Sequence, residues 1–222
     1  MGEAELNRSL SLLTIHSTFF FYGEAATQEL ATKIAEDIRA CWNQPQAIVS
    51  IKNDVYTLRF SIEGIHTPDL DPEKVWYNDQ PRLNFFRIEE FVIGDISFVD
   101  GVGCNTGYFK LANLLQTPTT AAHEYGHTIG LDHPDNLDIR GQDCPGIMYP
   151  RGTICDPKFQ YDGNALPGHA GGTLNPDCRK VLPADIEALK LHRLDFNQQG
   201  LATVGEFSSM YHEKHMPANF PQ

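Results

Sequence analysis

The chain has 222 residues and a formal net charge of −12, with 41% apolar and 21% charged side chains. That length suits one generous domain or two small ones with a buried core, and the composition excludes a disordered chain. The acid excess disfavours nucleic acid or an anionic membrane as a partner, and no apolar run approaches the ~18 residues that span a bilayer.

In chain order, Leu10 to Tyr22 is rich in β-branched and aromatic residues and is predicted to be a strand. Ala26 to Trp42 places Leu30, Ile34, Ile38 and Cys41 on one face of a helix. Ala47 to Ile51 and Val55 to Ile62 read as two strands joined at a turn on Asn53 and Asp54. Thr67 to Arg82 carries three prolines and several acids and is predicted to be a loop. Strands follow at Leu83 to Glu89, Gly94 to Val99 and Gly107 to Leu111. Thr117 is then a suitable N-cap and Pro118 a suitable first residue for a helix that ends at Gly130. Residues 134–183 hold 7 of the 14 prolines and 7 of the 18 glycines, a density that forbids long regular elements. Pro183 to Arg193 is predicted to close the fold as a short helix, and a strand or tail follows from about Asp195.

The five cysteines, Cys41, Cys104, Cys144, Cys155 and Cys178, contain no CxxC pair. One disulfide among the last three, or reduced thiols throughout, are both compatible with that pattern. The N-terminus lacks the order of a signal peptide, so any export signal is expected to have been removed already.

The chemistry lies in HEYGHTIGLDH, residues 123–133. On a helix, His123 and His127 differ by only ~40° in direction, so both imidazoles face one point. Two imidazoles at that spacing form half of a tetrahedral zinc site. Glu124 projects ~100° around the helix, beside the metal, where it can accept a proton from a metal-bound water. Gly130 allows a sharp turn, after which His133 can return as the third ligand. Three protein ligands leave one open position, the arrangement of a catalytic zinc.

This stretch resembles the long motif HExxHxxGxxH of the metzincin metallopeptidases, which is followed by a methionine-containing turn. That turn is matched by Gly-Ile-Met-Tyr-Pro at residues 146–150, with Met148 as an apolar floor beneath the imidazoles and not a ligand. Ile-Met-Tyr-Pro looks most like the matrixin version. LPADIEALKL, residues 182–191, resembles the matrixin C-terminal helix, with Asp185 at its acidic position. Pro134 after the third histidine is instead serralysin-like. Pro150 stands where some relatives carry a tyrosine two positions after the methionine, so Tyr149 is not carried over as a zinc ligand. His133 and Met148 are also farther apart than in typical matrixins.

The resemblance implies an α+β metzincin-like domain: a twisted mixed β-sheet with backing and active-site helices, a loop-rich lower subdomain and a C-terminal helix. It is read as a single metallopeptidase domain over 1–222, with an upper subdomain to about 133 and a lower one, with the tail, over 134–222. The implied activity is a monomeric zinc endopeptidase that acts on peptide or protein substrates, with one zinc on His123, His127 and His133 and with Glu124 as base. An edge strand near Gly94 to Val99 is expected to receive the substrate. The resemblance weakly favours a secreted or extracytoplasmic site; the compartment is otherwise unassigned. Two alternatives stand beside this reading: a non-catalytic module that keeps zinc for stability, and a peptidase cargo domain of a larger secreted toxin or effector. A calcium site on Asp156, Asp162 and Asn164 is a further expectation, without a proper loop signature. His212 and His215 are read as exposed, and His16, His66 and His169 as lacking a partner pattern. No PRCG segment is present, so a matrixin cysteine switch is not encoded here.

Overall fold

Leu12–Tyr22 (β2) alternates buried and half-buried positions along its length, placing Leu13, Ile15, Ser17, Phe19 and Phe21 on one covered face. In the computed structural model, which describes residues 1–215, this strand is the spine of an eight-stranded sheet. One edge of β2 pairs in parallel with Asp54–His66 (β4). The other edge is shared between two partners. Its first half pairs antiparallel with Gly2–Asn7 (β1), and its second half pairs in parallel with Leu83–Glu89 (β5). Beyond β4 lies Ile48–Ile51 (β3); beyond β5 lie Thr106–Lys110 (β7) and then the short antiparallel edge strand Phe98–Val99 (β6). Leu201–Val204 (β8) pairs with β1. With few helices beside this mixed sheet, the architecture is α+β, and no helix is long and apolar enough to cross a membrane among the described residues.

Two helices cover the inner face. Gln28–Asn43 (α1) starts where Thr27 Oγ1 accepts a hydrogen bond from Leu30 N–H, and it buries Leu30, Ile34, Ile38 and Trp42. It lies on β4 at Gly64, where a Cβ would stand 2.1 Å from the carbonyl oxygen of Ala31, so only glycine permits the approach. Thr119–Thr128 (α4) packs beside it. The Trp42 indole N–H donates to Ala122 O at 3.0 Å, and Ser17 and Tyr125 hydroxyls meet at 3.0 Å, tying α4 to both α1 and β2.

Several sequence-based expectations shift. The hairpin turn falls on Lys52 and Asn53, both at positive φ (49° and 76°), one residue earlier than expected. Residues 67–82 include a short helix, Pro72–Trp76 (α2), capped by Asp71. Most of the strand expected from Gly94 is replaced by a single turn at Ile93–Asp95, where Gly94 and Asp95 take positive φ and leave only Phe98–Val99 to pair. Leu111–Gln116 (α3) follows β7 unannounced. Thr117 is not the N-cap of α4: its hydroxyl instead donates to Asn113 O and meets Thr120 Oγ1, and Pro118 occupies the cap. The closing helix is cut to Pro183–Ala188 (α5), because Lys190 adopts a left-handed conformation before a separate turn at Leu191–Arg193. All five cysteines are free thiols.

The tail is the largest departure. His212, expected to be exposed, is buried, and its Nε2 lies 2.8 Å from Asp100 Oδ2. His215 stacks on Tyr108 at 4.3 Å between ring centroids, and Tyr211 stacks on Tyr22. His16 also has a partner, Glu5 Oε2 at 2.9 Å.

Gly64→Ala is expected to force α1 off the sheet and destabilise the protein by about 3 kcal/mol, lowering Tm by roughly 5–10 °C. Thermal unfolding followed by circular dichroism measures this, and an unchanged Tm would show that α1 does not seat at Gly64.

Candidate metal centre

α4 leaves its last turn through a left-handed glycine, Gly130, at φ 101°. Gly130 N–H donates to His127 O at 3.0 Å and Leu131 N–H to Gly126 O at 2.9 Å, the paired bonds of a Schellman C-cap. This stop turns the chain back within three residues, so His133 meets the two helical histidines. His133 Nε2 lies 3.1 Å from His123 Nε2 and 3.1 Å from His127 Nε2. A tetrahedral zinc with ~2.05 Å bonds to nitrogen requires nitrogen separations of about 3.3 Å, so the spacing fits such an ion.

The far sides of the rings settle which nitrogen is free. His123 Nδ1 is 2.7 Å from Ile147 O, and His127 Nδ1 is 2.8 Å from Leu131 O. A carbonyl can only accept, so each Nδ1 carries the proton and donates it, which leaves each Nε2 lone pair pointing at the common centre. Burial pushes the pKa of all three histidines down, most for the deeply buried His123, so they stay neutral, the state a metal ligand needs. His123, His127 and His133 are the single group of three or more histidine, cysteine or acidic side chains that could hold a metal ion among the described residues.

A second set of contacts joins this helix to the turn at 146–150. A Cβ on Gly126, which lies between the two helical histidines, would stand 2.2 Å from Met148 Sδ, so the turn at 146–150 is seated directly against the helix. That turn is fastened by Asp185, whose Oδ2 accepts from Leu182 N–H at 2.7 Å and from Ile147 N–H at 3.5 Å. Asp185 thus holds the residue whose carbonyl orients His123. Tyr149 packs with the separate cluster of Ile139, Cys155 and Leu174.

Beside the histidines lies a recess of about 500 Å³, lined by Glu124, by β6 with its flanking residues Ile96 and Val102, and by Thr120, Arg151 and Arg179. Glu124 is buried, and desolvation raises its pKa to about 8, opposed by the positive charge of Arg179. The two arginines were not singled out from the sequence, because isolated arginines in a loop carry no spacing signal. Of the acidic groups read as calcium ligands, Asp156 Oδ1 accepts from Gly141 N–H and Asp162 Oδ1 from Asn164 N–H.

No family model and no curated protein matches this chain. Among solved structures, that of myroilysin is similar over 87% of this chain and 100% of its own, at 11% identity and a TM-score of 0.37. A likeness that weak supports neither the fold nor an activity.

Asp185→Ala is expected to loosen the 146–150 turn and weaken metal binding by about 10–100-fold, the usual effect of losing a group that supports a ligand. Competition with a chelator of known affinity measures it; an unchanged affinity would show that His123 does not depend on this support.

Proposed function

We propose that this chain is a zinc-dependent endopeptidase of the metzincin type, in which His123, His127 and His133 hold one zinc and Glu124 is the general base. The observation that carries the proposal is the convergence of three imidazoles, two with their lone-pair nitrogens fixed from behind, at a cleft that also holds a carboxylate. Zinc bound there would polarise the scissile carbonyl and lower the pKa of water.

The chain's own groups do the rest. Glu124 lines the recess beside the three histidines. Burial alone would keep that carboxyl largely protonated near neutral pH, but the charge of a zinc ion beside it would favour the carboxylate. The carboxylate can then take a proton from the attacking water and return it to the leaving amine. β6 is an edge strand that also lines the recess, so its outer edge can take an extended peptide as an added strand. Ile93, Ile96 and Val102, large and exposed around this edge, offer apolar contact to such a peptide. Met148, 3% exposed, serves as the apolar floor beneath the rings. Tyr149 has no role in proton transfer, because it packs away from the cleft.

His127→Ala is expected to lose most of the zinc found by elemental analysis of the purified wild-type protein. If the wild type neither contains zinc nor takes it up, the proposal fails.

Glu124→Gln is expected to keep both fold and zinc, yet lose about 10²–10⁴-fold in peptide cleavage. Tyr149→Phe is expected to retain most activity. Cleavage assays at equal zinc content test both, and undiminished activity in Glu124→Gln would exclude it as the base.

A further inference from the structure

Arg179 is a buried cation without a contacting counter-charge. The residue is only 6% exposed, and no carboxylate lies within 4.0 Å of its guanidinium among the described residues. Its bonds go to neutral groups: Nε donates to Pro176 O at 3.3 Å, Nη1 to Tyr149 O at 3.2 Å and Nη2 to Thr119 Oγ1 at 3.1 Å. A guanidinium carries five N–H donors, so two remain unused. Buried charges are normally paired, because an unpaired one forfeits its hydration without return.

Arg179 lines the recess beside the histidines, and so does Arg151, an exposed guanidinium that donates to Asn113 Oδ1 at 3.3 Å. Glu124 is the single acidic side chain in that lining and lies beyond contact distance of Arg179. Asp100, at the end of β6, is turned the other way and engaged by His212 and Thr106. In a chain of net charge −12, the recess is therefore lined by two guanidinium groups and a single carboxyl group.

We propose that this recess is a carboxylate-binding pocket, in which Arg179 and Arg151 receive a negative charge on the substrate residue next to the bond that is cut. The pocket rests on this geometry; its role in selecting substrates rests on the peptidase reading above. The charge can come from an Asp or Glu side chain or from a free C-terminal carboxylate, and both offer the planar pair of oxygens that a guanidinium binds well. Arg179 fixes the depth at which the carboxylate sits, and Arg151 guards the mouth.

The test separates binding from turnover. Zinc-loaded Glu124→Gln protein is titrated with two probe pairs, followed by calorimetry and by the arginine side-chain NMR signals. N-acetyl-glutamate α-amide against N-acetyl-glutamine α-amide reports a side-chain carboxylate; N-acetyl-leucine against its amide reports a terminal one. In at least one pair the carboxylate is expected to bind tenfold or more tightly than its neutral partner and to shift the Arg179 signals. Arg151→Glu, a change at an exposed side chain, is expected to erase that preference. This variant keeps the proposal testable if Arg179→Gln fails to fold.

Less than twofold discrimination in both pairs overturns the proposal. So does a preference that survives Arg151→Glu, because the introduced carboxylate would compete for Arg179 and repel the probe if the two guanidinium groups formed the pocket. A peptide-library digest with the wild type supplies the second arm. Asp, Glu or a free terminus should be enriched tenfold on one side of the cleavage point. Cleavage with an apolar or basic preference overturns the pocket and leaves the peptidase reading standing. Carboxylate preference in the titration without cleavage of any peptide supports the pocket and overturns the peptidase reading.

Discussion

Three neutral imidazoles aimed at one point repel each other through their lone pairs, so the scaffold must hold the rings from behind. Here main-chain carbonyls provide much of that hold. Ile147 O fixes His123, and Leu131 O fixes His127. Both bonds select the tautomer as well as the ring direction, since a carbonyl can meet only a protonated nitrogen. Each carbonyl belongs to a segment with its own restraint. Leu131 follows the glycine that caps α4, and Ile147 sits in the turn fastened by Asp185. The convergence thus depends on backbone placement in two loops as much as on the histidines.

Hydrophobic burial alone would not fix α4 about its own axis, because apolar packing has little directionality. Buried hydrogen bonds supply the missing restraint. Trp42 reaches Ala122 O from α1, and Ser17 reaches the Tyr125 hydroxyl from β2, so the helix is held from two directions. The Trp42, Phe60 and Tyr125 rings meet edge-on or tilted between them, filling the layer at close packing. A rotation of α4 that moved His123 off target would break both bonds at once and leave a buried indole N–H unpaired.

The opposite wall of the cleft is stiffened from the outside. β6 pairs over only two residues, too few to be rigid by ladder bonds alone. Behind it, the tail places His212 on Asp100 and sets the rings of His212 and His215 against Phe98. Arg87 Nη1 donates to His212 O, and Tyr22 OH accepts from His212 N–H, so the tail is anchored to β2 and β5 as well. A short edge strand therefore gains its order from a segment more than a hundred residues away.

The sequence alone determined the elements whose signals are local. The 3.6-residue period of α1, the β-branched and aromatic content of β2, the His123–His127 spacing and the left-handed role of Gly130 are all local signals, which neighbouring residues express directly. It also placed Glu124 beside the two helical imidazoles, since adjacent residues on a helix diverge by ~100°. Tertiary structure decided what depends on distant partners. β1, with Glu3 and Glu5 in its pattern, is a strand only because β2 and β8 flank it. The tail reads as polar and solvated, yet His212 is buried because Asp100, 112 residues earlier, pairs with it. Arg179 has no motif at all, and its burial without a contacting acid came from loops that meet only after folding. Local periodicity is written in neighbouring residues; burial and pairing are properties of a chain that has already closed on itself.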